Sequence, residues 1–471
     1  MSDDSHDPAG RGAAPRGDLP EDAAEPTTLI LAWPGSGAPD EPPPSRGEVL
    51  LALARGLGRE LAVVQDLGPD AGGGARLHWG SVIRRDDGPP PREAIIWCEP
   101  ARPNAPEELE ATGGRPFRHV VGVETLLDEA RPLEDFADVL ALALDAVPDA
   151  AALLDANTGT WSSRDEIEAM LDASGAVPLD ERDTDGVRTI EGLDLPPEIL
   201  WAVHAVGRPD PEAPLWLHTH GLARTGRPEL ELLEVPGHLG GAAARLLHLV
   251  AGRLLESGPV AAGATVEVGP GEAVTLQDWR IVVPFVPEGV PGGAGDRTGE
   301  LAEGHAGRRF VVCGPEPEGA YRPVWTTPRR VLERLDRGDL PLYLSRAEVR
   351  HRRRIARVRW AEAATAHASL RGERRTQVSL AVKCPFGGGG GAPVEHLWFE
   401  VKAVDGDRID AVLASPPHGD VGLAEGDAAR IEAAAIEDWT FLTPHGRFGP
   451  DDVAGLWRSV DLLREPPGAT A

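Results

Sequence analysis

Two histidines separated by a single residue are the strongest candidates for chemistry in this chain of 471 residues. They are His218 and His220, within the segment WLHTHGL. Alternate residues of a strand point to the same face and lie about 7 Å apart, so both imidazoles can converge on one ion. The spacing therefore allows a divalent metal site, and a metal-dependent hydrolase is one function that such a site could have.

Further ligands for this site are available on the neighbouring predicted strands. His204 lies on the preceding strand, and Glu229 and Glu231 lie on the following one. No HExxH pattern accompanies them, so a third ligand is not fixed by spacing. The favoured interpretation is that both histidines form hydrogen bonds within a turn, because the strand ends where Gly221 follows His220. No cofactor is predicted, and a divalent metal at these histidines is the alternative.

A second group of polar and aromatic residues lies near the C-terminus, on two predicted strands. Strand alternation places His396 and Trp398 on one face of the first strand. This group predicts a site for a peptide or a small ligand, although tryptophans of this kind also serve as core residues. A thiol triad of Cys384, His396 and Asp438 is a weaker alternative. The members of the predicted ligand site are Glu395, His396, Trp398, Asp438 and Trp439.

One predicted helix is rich in arginine within an otherwise acidic chain. One face of this helix carries Arg350, Arg353, Arg354 and Arg357. Such a surface could contact nucleic acid, or its charges could pair with carboxylates of the chain itself. The chain has 47 basic and 76 acidic residues, a net charge of -29. That field repels phosphate, so internal pairing is favoured and a nucleic-acid partner is not expected.

Cysteine usage and hydropathy indicate the compartment. Cys98, Cys313 and Cys384 are far apart and form no CxxC pair, which is typical of a reducing cytoplasm. No run of about 18 apolar residues predicts a membrane span. The first residues lack the basic and apolar parts of a signal peptide. We therefore expect a cytoplasmic protein without membrane contact. A protein partner is a separate expectation.

The predicted strands and helices that position these residues indicate a multidomain α+β protein. The order of strands and helices over 27–150 predicts a ferredoxin-like sandwich. A middle antiparallel sheet with a long helix is expected next, and then a small twisted sheet or half-open barrel with flanking helices. The predicted segments are a disordered acidic tail (1–26), the ferredoxin-like domain (27–150), the middle module (151–285), a linker (286–308) and a C-terminal module (309–471).

Two further elements are predicted from apolar patterning. The run from 280 to 284 predicts a strand in the middle module, and residues 345–368 predict one long helix. The 287–307 segment is rich in Gly, Glu and Pro and has hardly any large apolar residue, which is typical of a linker.

Both modules that carry the candidate sites resemble bacterial families of unknown function. The C-terminal segments EHLWFEV, DGD, SPP, GD and IEDW, in this order, resemble the YegJ-like family. The segment WLHTHGL followed by PELE resembles a second, HTHGL-type family that often precedes a YegJ-like domain. The resemblance places the chain among bacterial proteins and leaves its activity open.

The patterns favour a non-enzymatic binding or accessory protein, with the C-terminal sheet as its recognition surface. An immunity- or stress-associated role is compatible with such a protein. No Walker lysine, GxSxG or helix-opening GxGxxG occurs, which removes the common nucleotide-binding and serine-hydrolase classes. The alternatives are a metal-dependent hydrolase centred on His218 and His220, and a nucleic-acid contact through the arginine helix.

Overall fold

The structure is a computed structural model. In it the chain forms two compact units. The first comprises Met1–Asp172 with Ala176–Arg346, and the second Ala347–Ala471 with Ala173–Gly175. The predicted tail lies almost wholly outside the described residues. Those residues are 24–35, 38, 40–57, 61–69, 77–85, 92–102, 105–173, 195–208, 210–297, 307–314, 325–340, 342–370, 372–387, 394–417, 419 and 421–464.

The first unit begins with a seven-stranded sheet in which all neighbouring strands are antiparallel, in the order β2-β3-β4-β5-β1-β6-β7. Its strands are β1 (Thr27–Ala32), β2 (Ala62–Leu67), β3 (Trp79–Arg85), β4 (Arg92–Pro100), β5 (His119–Thr125), β6 (Ala152–Asp155) and β7 (Thr160–Ser163). Its helices are α1 (Arg46–Leu57), α2 (Pro106–Ala111), α3 (Pro132–Ala146) and α4 (Arg164–Ala173).

The interior strand β1 is buried along its whole length, and α3 packs against it and against the central strand β5. Helix α3 presents apolar residues at helical spacing, with Phe136, Leu140 and Leu144 all buried. The α+β class is confirmed for this region. A ferredoxin-like β-α-β-β-α-β pattern contains four strands, whereas this sheet has seven, so that likeness remains a prediction.

The second sheet of this unit has six strands in the order β11-β12-β13-β10-β9-β8. They are β8 (Ala202–Val206), β9 (Pro214–His220), β10 (Glu229–Pro236), β11 (Thr265–Gly269), β12 (Glu272–Asp278) and β13 (Arg309–Cys313). The helices are α5 (Gly240–Ser257), α6 (Trp279–Val282) and α7 (Arg329–Arg337). Strands β10 and β13 are parallel and the other neighbours antiparallel, so the sheet is mixed rather than purely antiparallel.

The predicted strand at 280–284 is wrong, because this run forms helix α6 and a following 3-10 turn. The Asp278 side chain accepts a hydrogen bond from the Arg280 backbone N–H and caps the helix. The strand is instead the alternating segment before it, β12. Strand β13 follows the segment predicted to be a linker and pairs with β10 and β12, which precede it. One sheet therefore contains strands from both sides of that segment. The domain limits themselves remain predictions.

The second unit contains an open sheet of six antiparallel strands in the order β17-β16-β15-β14-β18-β19. Two edge strands remain, so the described residues form an open sheet and no closed barrel, and the twist of this sheet remains a prediction. The strands are β14 (Ser379–Gly387), β15 (Val394–Asp405), β16 (Arg408–Leu413), β17 (Ala428–Glu432), β18 (Asp438–Thr443) and β19 (Gly446–Phe448).

Three helices accompany this sheet: α8 (Arg346–Val358), which starts at the last residue of the first unit, α9 (Trp360–Ser369) and α10 (Val453–Arg464). The single helix predicted over 345–368 is therefore wrong, because the chain leaves helical geometry at Arg359, with φ -92° and ψ 2°. Trp360 follows the break and joins a core with Phe399, Trp439 and Phe441. Within the described residues, no helix is both long and apolar enough to cross a bilayer.

Candidate metal centre and neighbouring sites

Three histidines meet at one edge of the second sheet. His204 on β8 lies directly opposite His218 on β9, and His220 follows two residues later on the same strand. One ligand nitrogen from each of the three lies within 4.8 Å of the others. The ring centroids are 4.9 Å apart for His218 and His220, and 4.8 Å apart for His204 and His220.

This arrangement is close to what a tetrahedral zinc ion requires. Bonds of about 2.0–2.1 Å place two ligand nitrogens about 3.4 Å apart, so the side chains need only small rotations to converge. His204 Nε2 lies 3.1 Å from the Thr158 carbonyl oxygen. When Nε2–H donates to that carbonyl, Nδ1 of the same ring is free to bind a metal. Three imidazoles would leave a fourth position open.

The two glutamates predicted as further ligands are engaged elsewhere. Glu229 accepts hydrogen bonds from the Thr219 hydroxyl at 2.6 Å, the Gly221 backbone N–H at 2.8 Å and the Ala223 backbone N–H at 3.0 Å. Burial raises the pKa of the Glu229 carboxyl, and Arg309 opposes that rise. Glu229 thus fixes the turn that follows His220 and is not part of the histidine cluster.

Glu231 is fully buried and lies directly opposite His218 in the sheet register. Its Oε2 accepts hydrogen bonds from Trp216 Nε1 at 3.0 Å and from Arg297 Nη2 at 2.7 Å. Its Oε1 has no hydrogen-bond partner among the described residues. Glu231 therefore belongs to a buried ion pair beside the cluster.

Arg297 comes from the segment that the sequence predicted to be a linker, yet it is buried. Its guanidinium lies 5.2 Å from the Trp216 ring centroid and 4.8 Å from that of Trp279, in cation–π geometry. The Trp216 ring in turn lies 4.2 Å from the His218 ring. No local pattern marks Arg297 as part of this site, because its partner Glu231 is 66 residues away.

The predicted C-terminal ligand site is only partly assembled. His396 is exposed and Trp398 half-buried on one face of β15, while Leu397 and Phe399 are buried on the other. Trp439 is buried in the core, where its Nε1 donates a hydrogen bond to the Ala356 carbonyl. Burial raises the pKa of the half-buried Asp438. The backbone N–H of Gly419 donates to Glu395 Oε1.

Glu437, which the sequence did not single out, organises this surface. Its Oε2 lies 2.5 Å from His396 Nδ1, and its Oε1 lies 2.6 Å from Arg353 Nη2. The carboxylate is largely buried, whereas the His396 side chain is 41% exposed. The result is a solvent-accessible imidazole held by a carboxylate that an arginine also binds.

The thiol triad does not form. Cys384 lies opposite Leu397 on the core face of the sheet, away from His396. Its side chain is fully buried, and burial raises the pKa of the thiol to about 12. A neutral buried thiol is a poor nucleophile.

The arginine helix turns part of its predicted basic face towards its own unit. Arg353 pairs with Glu437, and Arg357 Nε donates to the Ile436 carbonyl at 3.0 Å. Arg350 and Arg354 are exposed. Arg352 pairs with Glu348 one turn away. These contacts favour internal pairing over nucleic-acid binding.

Two regions of the chain, each containing one of the candidate sites, are similar to families without an assigned activity. Residues 203–313 match the family described as "Protein of unknown function (DUF4026) C-terminal". Residues 370–460 match the family described as "Uncharacterized protein conserved in bacteria (DUF2314)". The first match spans β8 to β13 with all three histidines, and the second spans β14 to β19. No curated protein and no solved structure matches the chain.

Proposed function

We propose that this protein binds a divalent transition metal, zinc by preference, through His204, His218 and His220. The observation that carries the proposal is the convergence of three ligand nitrogens within 4.8 Å. Imidazole nitrogen suits zinc, and a three-histidine site with an open fourth position is typical of catalytic rather than structural zinc.

Hydrolysis is the reaction class that such a centre supports best. A bound zinc ion lowers the pKa of water to about 7 and polarises carbonyl or phosphoryl oxygens. The chain supplies the ligands and a support for one of them, the hydrogen bond between His204 and the Thr158 carbonyl. Glu231 and Arg297 balance each other's charge, so the affinity for the metal comes mainly from the imidazoles.

Metal content of the untagged full-length protein tests this proposal. After equilibration with zinc and removal of loose metal, we expect about one zinc per chain by mass spectrometry. The His218→Ala/His220→Ala variant should retain none, and His204→Ala should bind more weakly. His238→Ala is the matched control, because this half-exposed histidine lies outside the cluster. A metal-free wild-type protein, or full retention in the double variant, contradicts the proposal.

A second candidate function rests on the C-terminal unit and applies with or without a metal. In this role the protein would be a cytoplasmic accessory protein of YegJ-like type. It would recognise a protein partner through the exposed face of β15. The held but accessible imidazole of His396, next to Trp398, supports this role. Interfaces favour such aromatic anchors beside an oriented polar group.

Peptides selected from a displayed library against the full chain test this second function. We expect at least a tenfold loss of affinity in His396→Ala and in Trp398→Ala, with no loss in His445→Ala. His445 is exposed in a turn of the same unit and serves as the control. Selected peptides that bind all these variants equally would exclude β15 as the recognition surface.

A further inference from the structure

A cavity of about 520 Å³ lies in the first unit, beside the histidine cluster but lined by other residues. Helix α3, strands β6 and β7, helix α4 and the 3-10 turn before β8 contribute to its wall. Small-molecule sites commonly measure 300–1,000 Å³ and have largely apolar walls with a few polar groups. The size of this cavity falls within that range.

Much of the wall is aromatic and aliphatic. Trp161, Trp201 and Phe136 contribute rings, and Leu153 and Ile167 contribute aliphatic surface. Trp201 is held in place because its Nε1 donates to His248 Nδ1 at 3.0 Å. Such a wall suits a ligand with an apolar or aromatic body.

The charged groups of the wall all have the same sign. Among the described lining residues, Asp155, Glu166 and Glu198 are acidic, and none is lysine or arginine. Arg224 neutralises Asp155, and Glu166 accepts hydrogen bonds from Ser163. The half-buried Glu198 carboxylate forms no hydrogen bond or ion pair within the described part of the chain. The one titratable neighbour on which its charge acts there is His248, and burial lowers the pKa of that imidazole and so favours its neutral form. It is therefore the carboxylate best able to receive a cation.

The protein itself shows how a cation fits against this wall. The guanidinium of Arg224 lies 4.6 Å from the centroid of the Phe136 ring while its nitrogens bind Asp155. Aromatic rings next to carboxylates attract organic cations by the same combination of ring quadrupole and charge. Trp161, Trp201 and Glu198 offer a similar combination without an internal cation on the carboxylate.

We propose that this cavity binds an organic amine, in its ammonium form, that carries an apolar or aromatic body. The ammonium group lies at Glu198, and the body lies against Trp161 and Trp201. This inference does not require the proposed metal. The cavity adjoins that site through Thr158, whose side chain lines the cavity while its carbonyl lies 3.1 Å from His204 Nε2.

Three probes that differ in charge test the proposal on the full-length protein by calorimetry: 4-phenylbutylamine, 4-phenylbutan-1-ol and 4-phenylbutyrate. We expect the amine to bind at least tenfold more tightly than the alcohol, and the acid not to bind. Glu198→Gln should lower the affinity for the amine to that of the alcohol. Glu212→Gln, with a side chain that is 84% exposed, should leave it unchanged.

The two proposals fail separately. Amine affinity should be unchanged in the His218→Ala/His220→Ala variant, because the histidines do not line the cavity. Equal affinity for all three probes, no binding of the amine, or an unchanged affinity in Glu198→Gln would overturn the inference. Trp161→Ala provides a second variant, and we expect it to weaken the amine and the alcohol together. Far-ultraviolet circular dichroism establishes that each variant is folded.

Discussion

Arg224 and Asp155 form a buried, two-pronged ion pair that joins the first sheet to the module bearing the histidines. The Nη1–Oδ1 distance is 3.0 Å and the Nη2–Oδ2 distance is 2.7 Å. Arg224 is fully buried and also donates to the Leu200 carbonyl, just before β8. The pair therefore fixes the start of the strand that carries His204.

Removal of one partner should strongly destabilise the first unit. Arg224→Ala leaves the Asp155 carboxylate buried without its countercharge, so we expect a loss of about 3 to 5 kcal/mol in the free energy of unfolding. Urea denaturation measures the change. The apolar double variant Asp155→Leu/Arg224→Met should recover most of it, since it leaves no uncompensated charge.

The control for this prediction is an exposed ion pair, Arg430 with Asp410. Arg430→Ala should cause no measurable change, because both side chains are solvated. A similar loss in Arg430→Ala and Arg224→Ala would mean that burial does not determine the cost.

Local periodicity predicted a large part of the middle sheet. The alternation in β9 indicated a strand with both histidines on one face, and the apolar spacing after Gly240 indicated helix α5. The meeting of His204 with this pair also followed from strand order, since neighbouring antiparallel strands place cross-strand partners side by side. These features depend on residues close together in the chain.

The partners of Glu231 and Glu437 could not be predicted from local periodicity. Glu231 is paired with Arg297, which lies in a segment whose Gly and Pro content indicated a linker. Glu437 binds Arg353 and His396, which come from a helix and a distant strand. Composition does not encode such pairings, because they depend on tertiary packing.

Gly292 should be intolerant of a side chain. Its φ is +82°, and an added Cβ would lie 2.5 Å from Leu233 Cδ2 and 2.7 Å from Trp216 Cγ. Its carbonyl also accepts hydrogen bonds from Arg297. We expect Gly292→Ala to lower the free energy of unfolding by about 1 to 3 kcal/mol, as measured by denaturant titration.

Gly295→Ala is the matched control in the same segment, since its Cβ would meet no atom within 4 Å. It should unfold at the wild-type denaturant concentration. Equal behaviour of the two variants would show that the segment rearranges freely and does not hold Arg297 in place.

The three cysteines should be unreactive in the folded protein. Cys98, Cys313 and Cys384 are buried, and burial raises the pKa of each thiol to about 12. Since the thiolate is the reactive form, Ellman's reagent should label none of them rapidly at pH 8. In guanidinium chloride it should label all three. One rapidly labelled thiol in the native protein would reopen a nucleophilic role, and Cys384→Ser would identify its source.

His367 should make the stability of the second unit depend on pH. It is buried, and burial together with the nearby Arg375 lowers its pKa to about 4. The ordinary value is about 6.5, so between pH 4 and 6.5 the unfolded chain binds a proton that the folded chain does not. His367 therefore favours folding fully above pH 6.5, and this contribution falls away as the pH drops towards 4.

The contribution is on the order of 3 kcal/mol, since each pKa unit corresponds to about 1.36 kcal/mol. His367→Gln keeps a hydrogen-bond acceptor for Arg375, which lies 3.2 Å from His367 Nδ1, but does not titrate. Urea unfolding between pH 4 and 7 should show a shallower loss of stability on acidification in this variant. The exposed His445→Gln should follow the wild-type curve. If His367→Gln also follows that curve, groups other than this histidine determine the acid sensitivity.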